Sequence, residues 1–374
     1  MKFSKLLLLS FVTLIFFLSS CKPDETVDDP CASNFNQKAM FENVADNLIL
    51  PQLKDFQGAV NELELVATQF LDNPNNETWL AFYPVFGKTY LKWQTVAQYS
   101  FGPAEDVFLR NSLNNFPLNV EEMQAKILAE NTDFSSPDAY DKGFPALDYL
   151  LSGVGNRFVS NIISFYNENE NRELYKKYVF AVLRDIKERT NTVVSKWETS
   201  YRNEFVNNTG TAAGTSLSLI INGLNQNYEL IKREKLGVPS GVLTLGFANP
   251  DKVESPGFGI SKDLAIKALK ASKNLYLGAG VNDINGLGLD DYLKEVNALK
   301  SGENLDDLIQ NQFDLAIASL TNLEGSLQEE VAENQAAVEN AYAEVTKNLV
   351  NLKTDLPSVL CVSITYIDNP SDSD

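Results

Sequence analysis

The sequence contains no histidine among its 374 residues. This absence excludes the Ser-His-Asp and Cys-His nucleophile systems, and it removes imidazole from any metal site. It also removes the side chain that most readily transfers protons near neutral pH. Any chemistry must therefore use carboxylates, amides, hydroxyls, lysine, arginine or tyrosine. A hydrolase of the usual construction is not expected, so binding is the simpler expectation.

Basic residues are also scarce, since 31 lysines and arginines stand against 50 acidic residues and give a net charge of −19. Proteins that bind nucleic acid carry basic surfaces for phosphate contacts, so no nucleic-acid partner is expected. This acidity suits a soluble exported protein, or one that attracts cations. Because histidine is absent and cysteines are not clustered, any metal site is expected to consist of oxygen ligands.

The first 20 residues have the pattern of an export signal. Lys2 and Lys5 precede an apolar run that ends at Leu18, and this run is shorter than the roughly 20 apolar residues of a membrane-spanning helix. The sequence Leu-Ser-Ser-Cys at residues 18–21 resembles the lipobox of bacterial lipoproteins. We therefore expect residues 1–20 to be removed and Cys21 to carry a lipid that anchors the protein to a membrane.

Residues 21–34 begin with this cysteine, and the segment after it is polar and acidic. Such a segment cannot bury enough apolar surface to fold by itself, which predicts a flexible tether. Acidity directly after the lipidated cysteine also resembles the surface-export signals of some Gram-negative lipoproteins. These features predict an outer-membrane lipoprotein that faces either the periplasm or the cell exterior.

Two further cysteines, Cys31 and Cys361, stand near opposite ends of the mature chain. An exported protein enters an oxidising compartment, where a pair of cysteines is expected to form a disulfide. Two free thiols remain the alternative, because the sequence does not show that the two ends meet.

Apolar stripes with helical spacing dominate the body of the chain. The four clearest run from Trp79 to Ala97, Leu174 to Tyr201, Leu305 to Leu323 and Leu327 to Leu352. A narrow apolar stripe needs a partner helix, so the pattern is typical of helical bundles. We predict an all-α fold of two packed four-helix-bundle-like domains, an N-terminal one over residues 35–206 and a C-terminal one over residues 207–374.

Proline and glycine mark the boundaries between the predicted helices. Pro51 is expected to break the first helical stretch, whereas the segment Gly102–Asp106 and Ser261 are typical of helix starts. Leu236–Ile260 is rich in glycine and proline, which predicts a long irregular connection of the kind that often carries function. It has neither a phosphate-loop nor a dinucleotide-binding pattern.

The segment from Lys142 to Gly153 carries the most informative resemblance. It is similar to the imelysin-like family, in which a Gly-x-His-x-x-Glu motif precedes a leucine-rich apolar helix. In this chain Gly143 is kept, Pro145 stands at the histidine position and Asp148 stands at the glutamate position. Other pieces resemble the family in the same order along the chain, and they are Trp93 to Pro103, Lys252 to Pro256 and Leu352 to Tyr366.

The resemblance implies two helical bundles side by side, with the motif near the cleft between them. It also implies an exported or lipid-anchored protein linked to iron acquisition, although some family members are classed as peptidases of the M75 type. Replacing the histidine by Pro145 removes the family's strongest metal ligand, so peptidase activity is not expected. Iron or another oxygen-ligated cation remains a candidate cofactor through Asp148, with Glu254 in the irregular connection as a second candidate ligand.

The motif residues also fit an ordinary helix start, because proline suits a first turn and an acid complements the helix dipole. Three functions therefore stay open. The first is a lipid-anchored binding protein with an envelope partner in iron uptake, and the second is a divergent metallopeptidase with carboxylate ligands. The third is a protein-interaction scaffold that uses the loops between Gly237 and Gly259. No catalytic residue is predicted.

Overall fold

The computed structural model describes residues 31, 33–154, 158–281 and 284–366. The chain divides into two units, Met1–Asn34 and the compact, mainly helical unit Phe35–Asp374. The predicted signal segment and Cys21 lie outside the described residues, as does most of the predicted tether.

The first half of the large unit is mainly helical. Its α-helices are α1 (Gln37–Asn43), α2 (Leu50–Asp72), α3 (Asn76–Val96), α4 (Pro103–Asp106), α5 (Leu109–Leu113), α6 (Val120–Leu128), α7 (Gly143–Leu151), α8 (Val159–Glu168), α9 (Arg172–Lys196) and α10 (Arg202–Asn207). The π-helical segments Val44–Ile49 and Trp197–Tyr201 join α1 to α2 and α9 to α10.

The second half continues with α11 (Ser216–Leu230), α12 (Ser261–Tyr276), α13 (Leu289–Glu295), α14 (Leu305–Thr321), α15 (Leu327–Glu333), α16 (Gln335–Val350) and α17 (Leu356–Val359). The π-helical segments Ile231–Gly237 and Asn351–Asp355 extend α11 and α16, and a 3-10 turn covers Pro250–Lys252. Among the described residues, paired strands are limited to an antiparallel hairpin of β1 (Leu299–Lys300) and β2 (Glu303–Asn304).

Helix packing confirms the predicted all-α class. In the first half α2 packs along α3 and α9, whereas in the second half α14 packs against α12 and α16. Helices α3 and α12 pack against each other and connect the two sets of helices. The proposed boundary between residues 206 and 207 lies at the end of α10, inside this compact unit, and the division into two domains stays a prediction.

The apolar stripes point into the core as their spacing predicts. Helix α3 begins with a capping box at Asn75, whose side chain accepts hydrogen bonds from the backbone N–H groups of Glu77 and Thr78. Such a cap satisfies donors that have no partner inside the helix. The stripe residues of α3 are buried, and they are Trp79, Phe82, Phe86, Tyr90 and Trp93.

One expectation about helix boundaries is wrong, and one apolar stripe spans two helices. Pro51 does not break the first helix, because it occupies the first turn of α2, where the missing N–H is tolerated directly after a π-helical segment. The stripe from Leu327 to Leu352 is not one helix. It divides at Asn334, whose φ of −139° leaves the helical region between α15 and α16.

The irregular connection predicted between Leu236 and Ile260 is confirmed as turns and one 3-10 turn. The helix starts predicted at Pro103 and Ser261 are confirmed as the first residues of α4 and α12. In the part of the chain that the structure describes, none of the helices combines the length and apolar character needed to cross a lipid bilayer.

We predict that Phe144→Ala lowers the free energy of unfolding by about 3–5 kcal/mol, because it leaves a cavity among packed rings. Phe144 is fully buried and lies within 6.5 Å of the ring centroids of Phe56, Tyr90 and Trp93. Urea unfolding followed by circular dichroism measures the change. The control is Phe158→Ala at a side chain that is 72% exposed, where a change within about 0.5 kcal/mol is expected. Equal losses in both variants would contradict the packing argument.

Candidate functional site

Helix α7 begins at Gly143, and its position leaves no room for a side chain. The backbone of Gly143 has a φ of +72°, and a Cβ atom there would clash with the carbonyl group of Leu113 at the end of α5. Glycine is the residue that adopts this conformation without strain. Pro145 follows in the first turn of α7, as expected for a helix start. The motif glycine therefore serves the close contact between α5 and α7.

Asp148 lies in the middle of α7, and its buried carboxylate binds the far end of the irregular connection. Oδ2 accepts a hydrogen bond from the backbone N–H of Gly257 at 2.7 Å, and Oδ1 accepts one from that of Phe258 at 3.1 Å. The hydroxyl of Ser255 also donates to Oδ1. The expectation that Asp148 complements the dipole of its own helix is therefore wrong. Its carboxylate instead binds a loop from another part of the chain.

Two neighbours of Asp148 support this attachment. A Cβ atom at Gly257 would clash with the carboxylate of Asp148 and the hydroxyl of Ser152, so the backbone approaches closely only with glycine there. The ring of Phe258 stacks on Phe86 of α3 with centroids 4.2 Å apart. Carboxylate and ring together hold the end of the connection against α7 and α3.

This attachment places Glu254 beside Lys235 of the π-helical segment Ile231–Gly237. The two side chains form a buried ion pair, with 1% of Glu254 and 6% of Lys235 exposed. Oε1 of Glu254 also accepts hydrogen bonds from the side-chain amides of Gln94 at 3.1 Å and Asn114 at 2.8 Å. The ammonium group of Lys235 donates to Oε1 of Gln94 at 3.0 Å and lies 5.5 Å from the ring centroid of Phe116.

Burial shifts the acidity of the groups around this pair. The pKa of Lys235 is lowered by burial, which disfavours the ammonium form, although Glu254 acts in the opposite direction. The pKa of Tyr90 is raised well above its ordinary value, first by burial and then by the nearby carboxylates of Glu254 and Asp148. The hydroxyl of Tyr90 therefore stays protonated, and it donates to Oδ1 of Asn114 at 2.6 Å.

A cavity of about 810 Å³ opens beside the pair. Its wall is formed by the C-terminal end of α3, the stretch that follows α5, and the end of α11 with its π-helical extension. The lining is rich in amides and cationic side chains, including Asn111, Asn115, Gln226, Arg110, Lys232 and Arg233. A polar cavity of this size matches the range of small-molecule sites in proteins.

Comparison with known families identifies this architecture. The sequence profile described as Imelysin (Peptidase_M75) matches residues 49–356, which is most of the chain. The chain belongs to the imelysin family. A search among curated proteins finds no match.

Two solved structures share the imelysin fold of this chain. One is from Parabacteroides distasonis and is assigned provisionally as an iron-regulated protein A precursor. It has 17% identity and a TM-score of 0.66, with 86% of this chain and 95% of that chain covered. The other is an imelysin-like protein from Psychrobacter arcticum with 15% identity and a TM-score of 0.65, and the match covers 90% of this chain and 99% of that chain.

The residues at the motif do not fit a bound metal ion. Pro145 has no ligating atom, and both oxygens of Asp148 accept hydrogen bonds from the segment around Gly257. Both oxygens of Glu254 face N–H donors, one of them the cationic Lys235. Among the described residues, no group of three or more acidic or cysteine side chains is arranged to hold a metal. A metal role for Asp148 or Glu254 stays a prediction that this donor arrangement does not favour.

The structure brings some predicted residues together and leaves others apart. Asp148 and Glu254 are connected through Ser255. This residue directly follows Glu254 in the chain, and its hydroxyl donates a hydrogen bond to Asp148. Cys31 and Cys361 are each disulfide-bonded, whereas their pairing with one another stays a prediction.

Sequence reasoning missed Lys235, Gln94, Asn114, Tyr90 and Arg110. Gln94 lies in a piece that resembles the family and Tyr90 in the stripe of α3, but neither pattern predicts a site residue. Their common location arises from three separate parts of the chain. The one available signal is the irregular connection, which contains Glu254 and the residues that contact Asp148.

We predict that Glu254→Gln lowers the free energy of unfolding by about 3 kcal/mol at pH 7, because it leaves the charge of Lys235 buried without a partner. The pKa of Lys235 in the folded variant lies further below its ordinary value, since burial remains and Glu254 is lost. The unfolded chain then binds more protons than the folded chain, so stability rises with pH. Urea unfolding should show that the difference in free energy of unfolding between the variant and the native chain becomes smaller from pH 7 to pH 10.

The matched control is Glu198→Gln, which removes a partner of Lys54 in an exposed ion pair. A change below about 1 kcal/mol is expected there, because such surface pairs contribute little. If the stability lost through Glu254→Gln stayed constant over this pH range, the variant would not contain a charged Lys235 that lacks its acidic partner.

Proposed function

We propose that this imelysin is an exported, lipid-anchored binding protein of the cell envelope that takes part in iron acquisition and is not a working peptidase. The observation that carries the proposal is the 810 Å³ polar cavity beside the buried Lys235–Glu254 pair. Asp148, the acid of the motif, stabilises the wall of this site, because its carboxylate binds the segment that carries Glu254.

The absence of histidine supports a binding role over catalysis. Catalytic zinc sites normally include histidine among their protein ligands, and this chain has none. The alternative of a metallopeptidase with carboxylate ligands would need several convergent oxygens, whereas the acids at the motif and the connection already accept hydrogen bonds from protein donors. The cavity is lined by amides and cations, and its two lining acids, Glu229 and Glu234, are paired with Lys232 and Arg233.

The iron link is supported by the family and by the description of the Parabacteroides distasonis relative as iron-regulated. The lipobox-like sequence ending in Cys21 and the acidic segment after it support anchoring to the outer membrane, on the periplasmic face or the cell surface. The word precursor in that relative's description is also in keeping with export.

We predict that the chain from Asp24 to Asp374, prepared without a histidine tag, binds ferric citrate or haem saturably. Trp93 lines the cavity, so quenching of tryptophan fluorescence reports occupancy. Asp148→Asn should lower both thermal stability and affinity, because it removes one of the acceptor oxygens that hold the segment carrying Glu254. A peptide library should stay intact with and without a chelator.

Two results would contradict the proposal in different ways. If neither iron species bound, the link to iron would fail. If peptides were cleaved, and both a chelator and Asp148→Asn abolished the cleavage, the metallopeptidase alternative would be correct. Pro145→Ala serves as the control, because it alters the motif without removing an oxygen atom.

The second candidate function is contact with an envelope protein through the irregular connection. Residues 237–250 carry no charge, and they hold Leu245 and Phe247 outward with 93% and 72% of each side chain exposed. Thr244 Oγ1 donates to the carbonyl of Phe247 at 2.8 Å, and Gln335 donates to that of Ser240 at 2.7 Å. Exposed apolar side chains on a hydrogen-bonded loop are typical of protein-contact surfaces.

We predict that an envelope protein cross-links to the native chain on intact cells, and that Leu245→Ser/Phe247→Ser abolishes the cross-link without lowering stability. The control is Leu299→Ser, at an apolar side chain that is 64% exposed elsewhere on the surface. Cross-linking that survives the double change, or that Leu299→Ser abolishes equally, would contradict a contact through this loop. Loss of binding to neutral lipid vesicles instead would identify a membrane contact.

A further inference from the structure

Arg110 differs from the other cationic side chains that line the cavity. Lys232 pairs with Glu229 at 2.9 Å, Arg233 pairs with Glu234 at 2.8 Å, and Lys235 pairs with Glu254. Among the ion pairs of the described residues, none includes Arg110. In a chain with 50 acidic and 31 basic residues, a partly buried arginine without a carboxylate partner is an exception that needs a reason.

The contacts of Arg110 explain only part of its chemistry. Its Nε and Nη2 groups donate to the carbonyl of Ala97 at 3.1 and 2.6 Å. Ala97 is the C-terminal cap of α3, so a cation is favourable at this position. Its Nη1 group is enclosed and has no acceptor within the described part of the chain. A guanidinium group has five N–H donors, and an enclosed donor without a partner is costly.

The missing partner is an anion by its chemistry. Burial lowers the pKa of Arg110 to about 10, so the group is cationic at neutral pH and its charge is compensated by no protein carboxylate. Guanidinium groups bind carboxylate and phosphate oxygens through paired hydrogen bonds. Arg110 is one of the residues that line the cavity, so an anion bound there lies beside its charge.

We infer that the cavity binds a small anionic molecule whose carboxylate or phosphate oxygens are recognised by Arg110. This inference deepens the proposed binding function, since it names the chemical class of the ligand at the same site. Asn115 in the lining donates to the carbonyls of Pro137 and Ala139. The side-chain amide nitrogen of Gln226, whose Oε1 accepts from Ser100, is the lining donor for the polar remainder of such a molecule. The ammonium group of Lys235 remains paired with Glu254 and takes no part in recognition of the anion.

The test uses the chain from Asp24 to Asp374 and three iron-free probes in calorimetric titration. The probes are citrate as a tricarboxylate, inorganic phosphate, and glucose as a neutral molecule. Citrate or phosphate should bind and glucose should not. Arg110→Gln should weaken binding by about 10- to 100-fold, as expected for loss of a hydrogen-bonded charge. Arg110→Lys should weaken it less, because the charge remains without the planar pair of donors.

The matched control is Arg202→Gln, which removes an exposed guanidinium paired with Asp46 at 2.5 Å and lies outside the cavity lining. It should leave anion affinity unchanged. Arg110→Gln also removes the cap of α3, so thermal unfolding is measured alongside binding. If that variant does not fold, Leu230→Trp tests the same site, because Leu230 lines the cavity and the larger ring narrows it while Arg110 stays in place.

Several results would overturn the inference. They are binding of neither anion to the native chain, unchanged affinity in folded Arg110→Gln, and retained affinity in Leu230→Trp. Iron chemistry is tested separately with ferric citrate. Binding of iron-free anions that depends on Arg110, without binding of any iron species, would support this inference and remove the iron link. Binding of iron species that does not depend on Arg110 would support the iron link and overturn this inference.

Discussion

The carboxylate of Asp148 is the contact on which the arrangement of the site depends. It accepts hydrogen bonds from the backbone N–H groups of Gly257 and Phe258 and from the hydroxyl of Ser255. Backbone N–H groups that are withdrawn from water need acceptors, and those of Gly257 and Phe258 find them in this carboxylate. The position of Glu254 follows from this attachment, because Glu254 directly precedes Ser255, the first of the three residues that Asp148 binds.

Charge burial explains why the cluster around Glu254 is so fully bonded. Removing an ammonium and a carboxylate group from water is unfavourable unless each finds a partner and further hydrogen bonds. Lys235 and Glu254 meet that condition through each other, Gln94 and Asn114. Arg110 meets it only in part through the carbonyl of Ala97, and this difference makes the cavity wall beside it the place where an external anion fits.

The family motif has a different physical role in this chain from the one that the resemblance implies. Its glycine permits close contact between α5 and α7, its proline lies in a first turn, and its acid binds a distant loop. A histidine at residue 145 would offer a ligating nitrogen near Asp148, whereas proline offers none. The chain keeps the fold of the imelysin family, and these three residues serve its packing.

Periodicity alone was enough to predict the helices and their buried faces, as at α3, because a stripe repeating every three or four residues has one stable arrangement. The absence of histidine likewise determined which chemistry is excluded, since no fold can supply a missing side chain. Local pattern failed at Pro51 and Asn334, where a π-helical segment and a break depend on neighbouring helices. Only the tertiary structure decided which side chains meet at the cavity, and they are Lys235, Glu254, Gln94 and Arg110. They are brought together by helix packing and by the hydrogen bonds of Asp148. Neither of these leaves a periodic pattern in the sequence.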